Sequence, residues 1–507
     1  MDRLFKSLVA ASAVLGIAAA GTHFLRADAP PAAAVEPAPA PRAAKPLAPV
    51  TVTDQKVETR FAVKPKDLSA AVKKGLEYLA KNQQEDGGWN QGGGWRIGNT
   101  GGGRVEGAKV EDPSDIGNTS LALLALLRAG NTPIEGQYKD AMTRGLAFVL
   151  LRVEKSDSSS LMITDVKGTQ LQSKIGEYVD TFLTALILAE LKGKAGPNEK
   201  RLVAALEKTM TKIVKNQTAD GGFAGNGGWA PILSVAVANK SIARAKQNGV
   251  VIDQRVLERV FSQSQAAANG KLPAPAAGGP VALGAVDGRG LRDAPARGFG
   301  IAGGIGGFGG GGLGGVGDAK GMSTLPSVTF GDAGVPLYRI GQGAGNSQDV
   351  VNSLRLDGEK ARKVLKDSKA TQKDRDEASK KLDDLKNAEK QNADVQTQLE
   401  ANVKNESFVA GFGNNGGEEF LSFLNISETL LVKGGKAWEE WDARMVKGLE
   451  KAQDKDGSWQ GHHCITGKTF CTAGALLVLM ADRTQFPAEV LVKPEAQPAA
   501  GPDKDKK

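Results

Sequence analysis

Both cysteines and two of the three histidines of this 507-residue chain lie in one stretch, Gly461-His462-His463-Cys464-Ile-Thr-Gly-Lys-Thr-Phe-Cys471. Thiolate and imidazole are ligands that zinc prefers, so His462, His463, Cys464 and Cys471 make one candidate metal set. Zinc is thus the one cofactor alternative to none. In an exported chain the same two cysteines readily close a disulfide, an eight-residue ring worth about 2–3 kcal/mol at most. Free buried thiols are the third reading. His462 and His463 are also candidate catalytic groups, as imidazoles suited to proton transfer near neutral pH. Two carboxylates join them: Asp115, in Glu111-Asp112-Pro-Ser-Asp115, and Glu418, which opens an apolar helix near 418–431. Asp115 has a structural alternative as the N-cap or first-turn carboxylate of the helix beginning near Gly117. Tyr338, Arg339, Asn414 and Glu419 fall in glycine-rich stretches, 331–347 and 408–423. Both stretches read as loops that would frame a shallow ligand cleft. Trp229, Trp438 and Trp441 either line that cleft or plug helix ends.

A phrase that returns three times must position these residues. Gln83, Asp86 and Trp89 close the first copy, Gln217, Asp220 and Phe223 the second, and Gln453, Asp456 and Trp459 the third. In each, an amphipathic helix ends in Gln, Asp follows three residues later, and an aromatic comes after two small residues. Leu76, Leu79 and Ala80 show the three-to-four spacing of one apolar face. Gly87 and Gly88 stop the helix, since glycine reaches left-handed dihedrals without penalty. The glutamines are therefore expected to bond backbone in the turn. Helices over 68–83, 138–152, 198–216 and 440–453 have one apolar face and suit an outer layer. Runs over 118–129, 180–191, 234–245 and 472–481 are Ala- and Leu-rich on most faces and suit an inner one. They are too short to span a bilayer.

The Gln-x-x-Asp-Gly-x-Trp ending resembles the repeat of squalene cyclases and protein prenyltransferase β subunits. The resemblance covers about 65–265 and 408–485. It implies an all-α fold, an α/α toroid of inner and outer helices. The same toroid carries complement-type thioester domains and some polysaccharide lyases, so activity has to be argued from sites. Class II cyclases of this family use Asp-x-Asp-Asp as acid, and the nearest run here ends at Asp115. A polyene cation also needs aromatic faces around it. Trp, Tyr and Phe number 26 of 507 residues, several already used in the repeat turns, which argues against a cyclase cavity. The prenyltransferase zinc ligands are Asp, Cys and His spread along the chain, whereas here Cys and His are clustered and no acid matches. The thioester run Cys-Gly-Glu-Gln does not occur.

The toroid is expected in two parts, 67–265 and 406–487, with 331–349 as a toroid loop between insertions. Residues 1–29 read as a signal peptide or N-terminal membrane anchor, Arg3 and Lys6 preceding a 15-residue apolar core. Residues 30–66 are a Pro/Ala-rich disordered linker, and 488–507 a disordered tail. Residues 266–330 form a flexible Gly/Pro/Ala-rich insertion: 14 of the 24 residues from Gly298 to Gly321 are glycine, too few apolar groups for a core. Residues 350–405 form a long charged helix or helical hairpin, coiled-coil-like, expected to project from the toroid as a solvated face or docking arm. A net charge of +8 without an aromatic–basic stripe gives no specific nucleic-acid reading. It suits an anionic surface or acidic glycan, with faces at 194–215 and 433–455. The expectation is an exported, periplasmic or secreted toroid that binds a protein or cell-envelope component without catalysis. The alternative is a divergent enzyme, cyclase-like or lyase-like, with its site at the toroid mouth and Arg339 or Arg96 clamping a carboxylate.

Overall fold

The computed structural model describes residues 46–54, 57–93, 112–271, 336–410, 416–462 and 464–491. The protein is predominantly α-helical. Its fourteen described helices are α1 (Ala70–Lys81), α2 (Ile116–Arg128), α3 (Lys139–Lys155), α4 (Gln170–Ile175), α5 (Val179–Leu191), α6 (Glu199–Asn216), α7 (Pro231–Gln247), α8 (Gln254–Ala268), α9 (Pro336–Lys366), α10 (Gln372–Asn402), α11 (Glu406–Val409), α12 (Glu419–Lys433), α13 (Lys436–Ala452) and α14 (Lys468–Leu479). Strand β1 (Thr51–Val52) pairs antiparallel with β3 (Val250–Val251), and β2 (Thr59–Phe61) with β4 (Gln485–Pro487). Both pairs tie the N-terminal arm to segments that follow inner helices.

Burial divides the helices as the sequence predicts. Helices α2, α5, α7, α12 and α14 are buried on nearly every face, and so is the first half of α9. Helices α1, α6, α8 and α13 bury one stripe. Among the buried helices α2 packs on α5, α5 on α7, α7 on α9, α9 on α12, and α12 on α14, while α14 also packs on α2. The order of neighbours returns to its start.

The repeated phrase makes the same joint twice. Gln83 Nε2 donates to Gly87 O within its turn at 2.8 Å and to Ala141 O at the start of α3 at 2.9 Å. Gln453 Nε2 donates likewise to Gly457 O and to Ala71 O of α1, both at 2.8 Å. The indole of Trp89 donates to Leu79 O and that of Trp459 to Leu449 O, each at 2.8 Å, closing the helix that precedes it. Each ring reaches a glycine on the next outer helix. A Cβ on Gly145 would lie 2.8 Å from Trp89, and one on Gly75 2.8 Å from Trp459, so no larger residue fits there. The third phrase thus hands back to the first helix. The middle copy differs, because both polar atoms of buried Gln217 lack a partner and Phe223 has no N–H to donate.

The segment 336–349 corrects the sequence reading. It was expected as a loop and is instead the first half of α9, buried between α7, α8 and α12. Its glycines argue for a loop on propensity, but tight packing requires them. A Cβ on Gly343 would lie 2.7 Å from Ala268 N, and one on Gly345 2.7 Å from Asn425 Cβ. The expected charged hairpin is α9 with α10, yet Val350, Val351 and Leu354 are core. Residues 350–404 are therefore not a detachable arm. The insertion expected over 266–330 starts within α8, which runs to Ala268, and the linker expected as disordered over 30–66 holds the paired strands β1 and β2; residues 1–45, 272–335 and 492–507 lie outside the described residues.

Two of the three glutamines make a direct test. Gln453→Leu removes two hydrogen bonds and leaves two carbonyls short, an expected loss of about 1–3 kcal/mol. Gln217→Leu removes a side chain already without partners and is expected to be neutral or stabilising. Urea unfolding of both variants reads the difference, and equal losses would contradict it.

Candidate functional site

The helix N-terminal end gathers most of the residues that the sequence singles out. Glu418 and Glu419 begin α12 and are fully buried. Tyr338, on the first turn of α9, donates its hydroxyl to Glu418 Oε1 at 3.1 Å, and Ile465 N donates to Oε2 at 3.3 Å. Cys464 also hydrogen-bonds this carboxyl. Burial raises the Glu418 pKa above the usual carboxyl range, against the lowering effect of these donors. Burial and the neighbouring Glu418 likewise raise the Cys464 thiol and the Tyr338 phenol. A thiol held protonated is a poor nucleophile and a poor metal ligand.

The expected Cys464–Cys471 disulfide is absent, for both are free thiols. Cys471 donates to Ile465 O at 3.5 Å, while Cys464 sits in a left-handed backbone conformation, φ 55°, and points to Glu418. The two sulfurs are aimed at different acceptors. Among the described residues no three His, Cys, Asp or Glu side chains come together as a metal site. His462 is exposed, and His463, Asn414, Arg96 and Glu111 lie outside the described residues. Arg339 is half-buried. Trp229 stands edge-on to Tyr338, with ring centres 6.5 Å apart. Trp441 donates instead to Ser427 of α12 at 2.9 Å, and Trp438 is buried with it, so neither lines that region.

Asp115 is the N-cap of α2. Its carboxylate accepts from Asn118 N and Asn118 Nδ2, both at 2.8 Å. The sequence missed its neighbour, Asp180, which opens α5 and accepts from Gln172 Nε2 at 2.5 Å. A Cβ on Gly117 would lie 2.2 Å from Asp180 Oδ1, so glycine there makes room for the second carboxyl. Burial first, then the charge of Asp180, raises Asp115; burial, with Glu177, raises Asp180. Two buried carboxyls side by side hold a proton well above the usual range. Gln170 of α4 bridges this pair's surroundings to the cysteine segment, accepting from Thr466 N and Gly467 N at 2.9 and 3.0 Å.

Leu121 and Leu124 of α2, Leu183 and Leu186 of α5, and Leu421 and Leu424 of α12 line one small cavity of about 10 Å³ with Val237, Lys240 and Asn425, room for about one water. Beyond them lies a buried ion cluster that the sequence reading did not identify. Glu428 accepts from Lys240 Nζ at 2.5 Å, Arg244 Nη2 at 2.9 Å and Arg128 Nη1 at 3.1 Å. Asp349 pairs with Lys240 at 2.8 Å and Arg244 at 3.4 Å, and Glu190 with Arg128 at 3.5 Å. Burial alone would raise Glu428, but Lys240, Arg244 and Arg128 outweigh it and hold the carboxyl below its usual range. The cluster borders an open cleft at the C-terminal ends of α2, α5 and α7, lined also by Glu135, Lys194 and Arg483.

The basic face expected at 194–215 is thinner than its composition suggests. Lys208 Nζ is spent on the carbonyls of Val153, Glu154 and Ser156, and Lys212 Nζ on those of Ser160 and Met162. No helix among the described residues is long and apolar enough to cross a membrane. Compared with known families and curated proteins, the chain matches no family model and no curated sequence.

The Asp115–Asp180 pair has a pH signature. A carboxyl raised in the folded state stabilises fully below its unfolded pKa of about 4. That contribution is lost as pH rises through the folded value. Asp180→Asn removes the second titrating group. It is expected to gain at least about 1 kcal/mol relative to the native chain between about pH 5.5 and about pH 8.5. Denaturant titrations at both pH values check this, and a pH-independent difference would contradict it.

Proposed function

We propose that this chain is an exported α/α toroid of the squalene cyclase and prenyltransferase repeat type that serves as a non-catalytic binding scaffold of the cell envelope. The toroid reading is supported by the cyclic order of buried helices and by the third repeat joint landing on α1. Export rests on the pattern of residues 1–29, as a signal peptide or anchor, and on nothing further along the chain. One observation supports the non-catalytic reading: leucines of α2, α5 and α12 pack together around a cavity admitting about one water, where the toroid reading would place a cyclase's polyene. A cavity admitting about one water has no room for a hydrophobic substrate of that size. Binding then belongs to the two ends and the outer wall, where a protein or an acidic envelope component could dock.

A second reading is favoured by the buried carboxyls. Glu418, and Asp115 with Asp180, carry raised pKa values of the kind general acids need. A divergent enzyme, cyclase-like or lyase-like, would place its chemistry at that end. The cluster is closed by its own partners, however: Tyr338, Ile465 N and Cys464 already occupy Glu418.

Purified protein offered anionic-lipid vesicles and a soluble polyuronate is expected to bind at least one of them saturably. It is expected to leave a linear polyene and the polyuronate unchanged over many protein equivalents. Turnover of either substrate that disappears in Glu418→Gln would overturn the scaffold reading in favour of the enzyme, and failure to bind either probe would also count against it.

A further inference from the structure

The outer half of the α9–α10 hairpin takes no part in the repeat joints, the buried carboxyls or the ion cluster. Its base is core, and α9 is last tied to the body where Arg355 Nη1 donates to Val490 O at 3.2 Å and Lys246 pairs with Asp357 at 2.8 Å. At Gly358 the two helices close on each other, for a Cβ there would lie 2.8 Å from Leu385 Cδ2. From Glu359 to Lys381 only Ala361 and Ala378 are buried. Among the described residues no hydrogen bond or ion pair runs from this stretch to any other part of the chain.

Charge is segregated along the hairpin. Residues 359–381 hold nine Lys and Arg against five Asp and Glu, whereas residues 382–402 hold two against five. A face that only has to stay solvated mixes both signs; here the tip is positive and the base negative. Seven lysines of the tip are exposed, and among the described residues its one ion pair is Arg362 with Glu359. The acids stay charged but are engaged locally. Asp367 accepts from Lys369 N at 2.9 Å, Asp374 from Thr371 N at 3.0 Å, and Asp376 from Gln372 Nε2 at 2.7 Å, which leaves Glu377. Arg375 is turned inward, donating to Leu365 O at 3.2 Å and Asp367 O at 2.8 Å. These bonds fix the turn that carries Lys363, Lys366, Lys369 and Lys373. Lys363 and Lys366 lie in the last turn of α9, where the helix dipole favours a cation. Lys373 lies in the first turn of α10, where the dipole opposes one, so helix stability does not account for it.

The residue types select the partner. No aromatic occurs in 359–381, so nothing there can stack on a nucleic-acid base. Both arginines are engaged, so no planar fork is left to grip a single phosphate or carboxylate. Exposed lysines on a fixed turn respond instead to charge spread over a plane, as in a bilayer rich in anionic headgroups. We propose that the tip of the α9–α10 hairpin docks on an anionic phospholipid surface. This assignment rests on the scaffold reading and gives that scaffold its place of contact.

Flotation of the full chain with phosphatidylcholine vesicles, and with vesicles of equal parts phosphatidylcholine and phosphatidylglycerol, measures the gain in affinity from anionic lipid. The native chain is expected to bind the mixed vesicles at least about tenfold more tightly, and the gain should shrink with added salt. Changing Lys363, Lys366, Lys369 and Lys373 together to Gln is expected to abolish the gain with the circular dichroism of the native chain retained. Should that change disturb the helices, Lys369→Gln with Lys373→Gln alone is expected to cut the gain at least about threefold. A charge-matched control, Gln at the exposed Lys386, Lys390, Lys447 and Lys451, is expected to keep it. An undiminished gain in the tip variants, an equal loss in the control, or tip-dependent binding of a soluble polyuronate in place of vesicles would each overturn the assignment. The scaffold reading survives those results if the native chain still binds vesicles or polyuronate, and a native chain that binds neither refutes both.

Discussion

Glu428 sits with its carboxylate among three cations drawn from two helices, and the buried body is arranged around it. Arg128 comes from α2, Lys240 and Arg244 from α7, Asp349 from α9, and Glu190 from α5. Thr484, just beyond α14, donates to the same carboxylate at 3.1 Å. Five of the six inner helices therefore contribute a charge, three positive and three negative. Taking one such charge out of water costs several kcal/mol. The cost is offset only if all partners arrive together, so the cluster demands that these helices be neighbours in one register. Hydrophobic stripes alone tolerate sliding, but a balanced set of short ion pairs does not.

That constraint explains why α9 is core rather than arm. Asp349 must reach Lys240 and Arg244, which places the first half of α9 between α7 and α12. The glycines of 341–345 then become a packing requirement instead of a loop signal. One end of these helices holds the buried carboxyls Glu418, Asp115 and Asp180, and the other holds the ion cluster, which borders an open cleft.

Much of this was legible in the residues. The Gln-x-x-Asp-Gly-x-aromatic phrase located the joints, and the Ala- and Leu-rich runs located inner helices to within a few residues. Asp115 was recognisable as a cap. The ion cluster had a signal that was passed over: Lys240 and Arg244 stand four residues apart in an Ala-rich helix, and Glu428 lies well inside the apolar α12. A charge inside an inner helix has to find a partner. Which partner it finds depends on contacts between residues as distant as Arg128 and Glu428, and one-dimensional patterns do not carry that information. The α9 segment was missed for a related reason, because local propensity favours a loop and tertiary packing overrides it. Gln217 shows the reverse error, in which a sequence copy of the motif does not make the bonds its siblings make.

The account stands or falls on Glu428. Glu428→Gln keeps the shape and removes the charge that balances Arg128, Lys240 and Arg244, so the remaining cations are left buried and under-compensated. Equilibrium urea unfolding should show a loss of about 3–5 kcal/mol. A variant within about 0.5 kcal/mol of the native protein would contradict the claim that this carboxylate holds the inner helices in place.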